Sequence, residues 1–117
     1  MKINLIVIRS QDIEMLSAFY ASGLNITFER HKHGSGLEHL STEIDGVVFE
    51  IYPQKNETDS TASIRLGFVV ESINGFLKRV KDFQFTVISQ PKNSLWGLRM
   101  VLDDPEGHRL ELVENGQ

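Results

Sequence analysis

The chain has 117 residues, 40% of them hydrophobic and 24% charged, the balance of one globular domain large enough to bury a core. Its formal net charge of -4, with no basic run, argues against nucleic acid as a partner, and the absence of cysteine excludes disulfides, thiolate catalysis and thiolate metal sites. The apolar stretch at residues 3–8 is cut short by Arg9 and Asp12, which leaves no signal or membrane segment to expect, no membrane partner, and a cytoplasmic location as the default.

Residues 3–9 are short and rich in β-branched side chains, the composition of a buried strand. Ser10 or Asp12 can cap a helix in which Ile13, Leu16, Phe19 and Tyr20 recur at helical spacing, with Gly23 as its natural stop. Three strands are predicted next, at residues 26–31, 37–44 and 47–52. Residues 33–36, His-Gly-Ser-Gly, read as a hairpin tip, and Asp45-Gly46 as a tight hairpin turn. Residues 54–61 are polar and aperiodic, a linker between two halves. After it, residues 64–70 form a strand and Ser72 caps a helix carrying Ile73, Phe76, Leu77 and Val80. Strands at residues 83–88, 95–102 and 109–113 follow, the last entered through Asp104-Pro105-Glu106-Gly107, a type I turn by its Pro and Gly positions.

The order βαβββ therefore occurs twice, at residues 1–53 and 62–115, in a single domain. A local motif repeats with it. Asp45-Gly46-Val47-Val48-Phe49-Glu50-Ile51 returns as Glu106-Gly107-His108-Arg109-Leu110-Glu111-Leu112, and Leu5 falls opposite Arg65 at nearly the same offset. The predicted class is α+β, with two βαβββ repeats forming a cupped mixed sheet.

Strand alternation sorts the side chains. Phe49, Ile51, Leu66, Phe68, Met100, Leu102, Leu110 and Leu112 pack toward the helices. The opposite, concave face then holds Glu50, Arg65, Arg99, Arg109 and Glu111, with Tyr52 nearby. His39 is placed to reach this cup from the third strand. His31 and His33 flank a hairpin tip and read as solvated, and Trp96 reads either as a stacking surface for a ligand or as a rim or interface residue.

These residues resemble the vicinal oxygen chelate superfamily, which includes glyoxalase I, extradiol dioxygenases, fosfomycin-resistance proteins and bleomycin-binding proteins. The resemblance covers nearly the whole chain. It is carried by Leu95-Trp96-Gly97-Leu98-Arg99, by Asp103-Asp104-Pro105-Glu106-Gly107-His108-Arg109-Leu110-Glu111-Leu112, by Asp45 to Ile51, and by Arg9 to Glu14 with Phe19-Tyr20. In metal-dependent members the ligands, His or Gln and then Glu, come from the first and last strand of each half. The resemblance maps those positions onto Leu5, Glu50, Arg65 and Glu111. Leucine has no lone pair to offer, and a guanidinium puts a fixed positive charge where a cation would sit. Arg65 is instead expected to bridge both glutamates through its fork of donors, leaving no resident cofactor. A single Mg or Mn ion on two carboxylates and water is the alternative.

The leading expectation is a small-molecule-binding protein of the glyoxalase and bleomycin-resistance type with a degenerate, metal-free site. Its ligand-binding set is Glu50, Tyr52, Arg65, Arg99, Arg109, Glu111, His39 and Trp96. The alternative is a glyoxalase-type lyase, isomerase or dioxygenase with Glu50 or Glu111 as general base. A purely structural or partner-binding role, with the cup filled by its own ion pairs, is the third. The resemblance also implies a homodimer.

Overall fold

The computed structural model describes residues 1–32 and 34–114. His33, at the predicted hairpin tip, and the last residue of the second repeat lie outside them. Strand β1 (Leu5–Ser10) leads into helix α1 (Ile13–Leu24), followed by β2 (Glu29–His31), β3 (His39–Ile44) and β4 (Val47–Pro53). The second half repeats this with β5 (Arg65–Val70), α2 (Ile73–Arg79), β6 (Thr86–Ser94), β7 (Gly97–Asp103) and β8 (Arg109–Glu114). Each half forms a four-stranded mixed sheet, ordered β1-β4-β3-β2 and β5-β8-β7-β6. In each, the first and last strands pair in parallel, β1 with β4 and β5 with β8. The fold is α+β with two βαβββ modules. No helix among the described residues is long and apolar enough to cross a membrane.

Local chemistry sets the boundaries. The Asp12 carboxylate accepts from the Met15 N–H at 3.1 Å and caps α1, while Ser72 accepts from the Gly75 N–H at 2.9 Å and caps α2. Asp45 and Gly46 both have positive φ, 49° and 85°, the two-residue turn whose twist suits a hairpin. The Gly107 N–H donates to the Asp104 carbonyl at 3.0 Å, closing the predicted turn.

Three expectations are corrected. Gly23 does not end α1, because Asn25 does so in the left-handed region at φ 58°. Gly23 serves close packing instead: a Cβ there would lie 2.4 Å from the Phe76 ring. β6 spans Thr86–Ser94 rather than residues 83–88. Pro91 falls where the β6–β7 register shifts between Ser89 and Lys92, and a bulge tolerates the missing donor. Leu95 and Trp96 are consequently the tip of that hairpin, 94% and 74% exposed, and not part of a strand. The linker also carries a 3-10 turn, Glu57–Asp59, closed by a reciprocal capping box from Asn56.

One core serves both modules. Ile8, Phe49 and Ile51 from the first sheet and Leu66, Met100, Leu102, Leu110 and Leu112 from the second pack on Leu16, Phe19, Tyr20, Ile73, Phe76 and Val80. Phe19 meets Tyr20, Phe76 and Phe83 edge-on at 5.3, 6.0 and 5.7 Å. A polar latch completes the junction. The Ser10 hydroxyl donates to the Glu106 carboxylate, which also accepts the Gln11 N–H at 2.7 Å. Tyr20 donates to Asp104 at 2.6 Å, Asp104 holds His108 Nδ1 at 2.9 Å, and His108 Nε2 lies 2.7 Å from the Thr61 hydroxyl.

Candidate functional site

With one face of each sheet committed to this core, the opposite faces carry the polar side chains that alternation predicted. On the first sheet Arg9 pairs with Tyr52 in register and His31 with His39, so the four make one row across the strands. Tyr52 and His39 stack at 4.1 Å and 7° between planes, His31 continues the stack at 5.7 Å, and the Arg9 guanidinium lies 5.3 Å from the Tyr52 ring centre. His39 is only 2% exposed. Its Nε2 lies 3.5 Å from Glu50 Oε2 and its Nδ1 is 3.3 Å from the Leu37 carbonyl. Leu5, on the same face of β1, is half exposed.

On the second sheet Glu111 is gripped twice, by Arg99 Nε at 2.6 Å and by Arg65 Nη2 at 3.2 Å. The hydrogen bond from Arg99, reinforced by Arg65, outweighs partial desolvation and holds the Glu111 carboxyl below the usual glutamate range. Arg109, beside Arg65 in register, engages Asp103 through Nε at 2.9 Å and Nη2 at 3.3 Å.

The two faces obey one rule. Glu50 pairs in register with Ser41, and Glu111 with Val101. His39 and Arg99 each stand two residues before that partner and reach diagonally to their own glutamate. The repeat thus extends to a third strand, as a nitrogen-bearing partner for each carboxylate. This corrects the expectation that Arg65 bridges both glutamates: Arg65 reaches Glu111, and Glu50 takes His39. Among the described residues no group of three or more His, Asp or Glu is placed to hold a metal ion.

The structure therefore gathers Glu50, Tyr52 and His39 into one cluster and Arg65, Arg99, Arg109 and Glu111 into another. Trp96 stands apart at the hairpin tip. The buried relay from Tyr20 through Asp104 and His108 to Thr61 was not anticipated. Its signal was an acid and a histidine four residues apart across a Pro/Gly turn, which sequence reasoning spent on the turn alone.

Comparison with known proteins agrees with this architecture. The profile of the Glyoxalase/Bleomycin resistance protein/Dioxygenase superfamily matches residues 2–112. No curated protein matches. Among solved structures, TnmS3, an antibiotic binding protein from Streptomyces sp. CB03234, is similar with a TM-score of 0.73 at 19% identity, over 99% of this chain and 97% of that one. A glyoxalase-related enzyme from Fulvimarina pelagi is similar with a TM-score of 0.73 at 17% identity, over 97% and 88%. The oxidase ChaP-H2 gives 0.76 at 17% identity, over 97% and 93%. Module order, parallel pairing within each half and a profile match over almost the whole length together assign the chain to the Glyoxalase/Bleomycin resistance protein/Dioxygenase superfamily.

Proposed function

We infer that the protein binds a small molecule on its open sheet faces without a resident metal ion, as a homodimer in the cytoplasm. The observation that carries this is the occupancy of Glu111, whose two oxygens face Arg99 and Arg65 at 2.6 and 3.2 Å. A divalent cation there would have to displace two guanidiniums. Leu5, at another position where metal-dependent relatives place a ligand, offers no donor. At Leu5, Glu50, Arg65 and Glu111 the only donors are two carboxylates, a set that does not fit zinc or nickel, which favour imidazole or thiolate partners. The antibiotic-binding role stated for TnmS3 supports a small-molecule-binding reading. The large apolar side chains left open at Leu5 and Val69 support a second copy. Native mass spectrometry after incubation with zinc, nickel, manganese and magnesium should show chains free of tightly held metal. One stoichiometric divalent ion per chain would overturn the metal-free assignment, and a ligand screen by thermal shift without a single saturable hit would overturn binding.

One observation favours an enzymatic second reading. Glu50 is half-buried beside His39, an arrangement in which a carboxylate could take a proton from a bound substrate. Glu111 is the poorer base, because its guanidiniums stabilise the ionised form. If a substrate is found by screening, Glu50→Gln should abolish turnover and Glu111→Gln should not. Unchanged turnover in Glu50→Gln would exclude this chemistry.

A further inference from the structure

Where the first sheet meets β5, an apolar cavity of about 300 Å³ opens between the modules, lined by Ile6, Val47, Phe49, Leu66 and Phe68. Arg65 stands at its edge and also lines a second, polar cleft of about 350 Å³ with Ser63, Gly107 and Arg109. The residues lining that cleft include two guanidiniums and no carboxylate. The acids lie behind them: Glu111 holds Arg65 by Nη2, and Asp103 holds Arg109 by Nε and Nη2. Among the described residues these contacts leave Arg65 Nε and Nη1, and Arg109 Nη1, with donors to offer. Gly107, at φ 96°, adds no side chain to fill the space.

We propose that this seam is a binding site for an amphiphilic anion, a compact aromatic or aliphatic acid. Its apolar body lies in the cavity and its carboxylate or sulfonate is held by Arg65 and Arg109. The proposal rests on the small-molecule-binding role inferred above and names the ligand class for it. Two independent features point to one ligand. The cavity rewards burial of apolar surface, while a pair of arginines already braced by carboxylates presents a planar fork with little ordering left to do. A neutral ligand would leave the remaining arginine donors without a charged acceptor, and a small inorganic anion would leave the cavity empty.

The test compares 2-naphthoate, 2-naphthalenemethanol and inorganic sulfate on the full chain, by NMR titration of the Ile and Leu methyls and the arginine Nε–H signals. Naphthoate is expected to shift Ile6 and Leu66 together with Arg65 and Arg109, and the neutral alcohol to bind at least about tenfold more weakly. Sulfate should move the arginine signals alone. Arg65→Gln and Arg109→Gln should each weaken naphthoate by about tenfold. Ser63→Asp, which leaves both arginines in place and changes an exposed residue, should weaken it as well, so a folding defect in an arginine variant cannot decide the matter. Equal affinity for acid and alcohol, or shifts confined to other residues, would sink the proposal. If naphthoate leaves every signal still while a screening hit binds at the His39–Tyr52 face, the seam site fails and the small-molecule role survives. If nothing binds anywhere, both fail.

Discussion

At the scale of single residues, the acid limb of stability follows from Glu111. Its folded-state pKa is depressed by Arg99 first and Arg65 second, so its contribution is complete above the unfolded glutamate value, near about 4.3. It is lost as pH falls through the lower folded value. The thermal midpoint of Glu111→Gln should therefore lie below that of the wild type at about pH 7, and the gap should narrow progressively on acidification below about pH 4. A gap that persists at the acid end would mean packing, not charge, is what the substitution removed. Asp104 belongs to a different regime, because it is 3% exposed and accepts from Tyr20, from His108 Nδ1 and from the backbone N–H groups of Glu106 and His108. Asp104→Asn replaces acceptor capacity with donors that face donors, a buried mismatch of roughly 2–4 kcal/mol. Denaturant unfolding should show that loss, and Tyr20→Phe should show a smaller one of about 1–2 kcal/mol.

At the scale of elements, the helix pair shows how one glycine can hold two opposed roles. Alanine is favoured over glycine inside a helix by about 1 kcal/mol, so Gly23→Ala would stabilise α1 in isolation. In the folded chain the new methyl meets the fully buried Phe76 ring at 2.4 Å, and overpacking of that kind costs about 1–3 kcal/mol. The clash should win, since Phe76 is itself wedged against Phe19 at 6.0 Å. Gly23→Ala should lower stability, and Gly23→Ala with Phe76→Leu should recover part of the loss. Additive losses in the double variant would disprove the close-contact explanation. The same glycine marks where the sequence was legible and where it was not. Period and turn chemistry are local, so Asp45-Gly46, Ser72 and the two βαβββ runs could be read directly. A glycine near a helix end fits both a left-handed cap and a close crossing, and only the partner helix decides between them. The extent of β6 stayed illegible for a related reason, because the bulge that accepts Pro91 is a property of the β6–β7 pair. The inward faces were predictable from alternation, yet the ion pairs across them depend on register between strands. That is why His39 and Arg99 stood as separate candidates while their equivalence did not show.

At the scale of the whole molecule, shape and surface chemistry bear on association. A chain of this length is expected to have a radius of gyration of about 13.4 Å, and the structure has one of 14.5 Å with extents of 47 × 31 × 24 Å. The elongation arises because each sheet spends its helix-facing side on the shared core and leaves its other side open. On those open sides and at the β6–β7 tip stand Leu5 at 50%, Val69 at 73%, Leu95 at 94% and Trp96 at 74% exposure. Scattered apolar residues need no explanation on a monomer. Here they sit on two related first strands and on one projecting hairpin, the places a second copy would cover if it closed the open faces. Charge does not oppose this, since a net charge of -4 is modest and Arg65, Arg99 and Arg109 carry local positive charge on the second sheet. Light scattering at micromolar concentration should give twice the chain mass of 13.3 kDa. Trp96→Ser with Leu95→Ser should shift the equilibrium toward monomer while leaving the far-ultraviolet circular dichroism unchanged, because neither residue touches the core. A monomeric wild type would remove the second copy from the binding surface. A dimer indifferent to the double substitution would place its contact on the strand faces and leave the hairpin tip free.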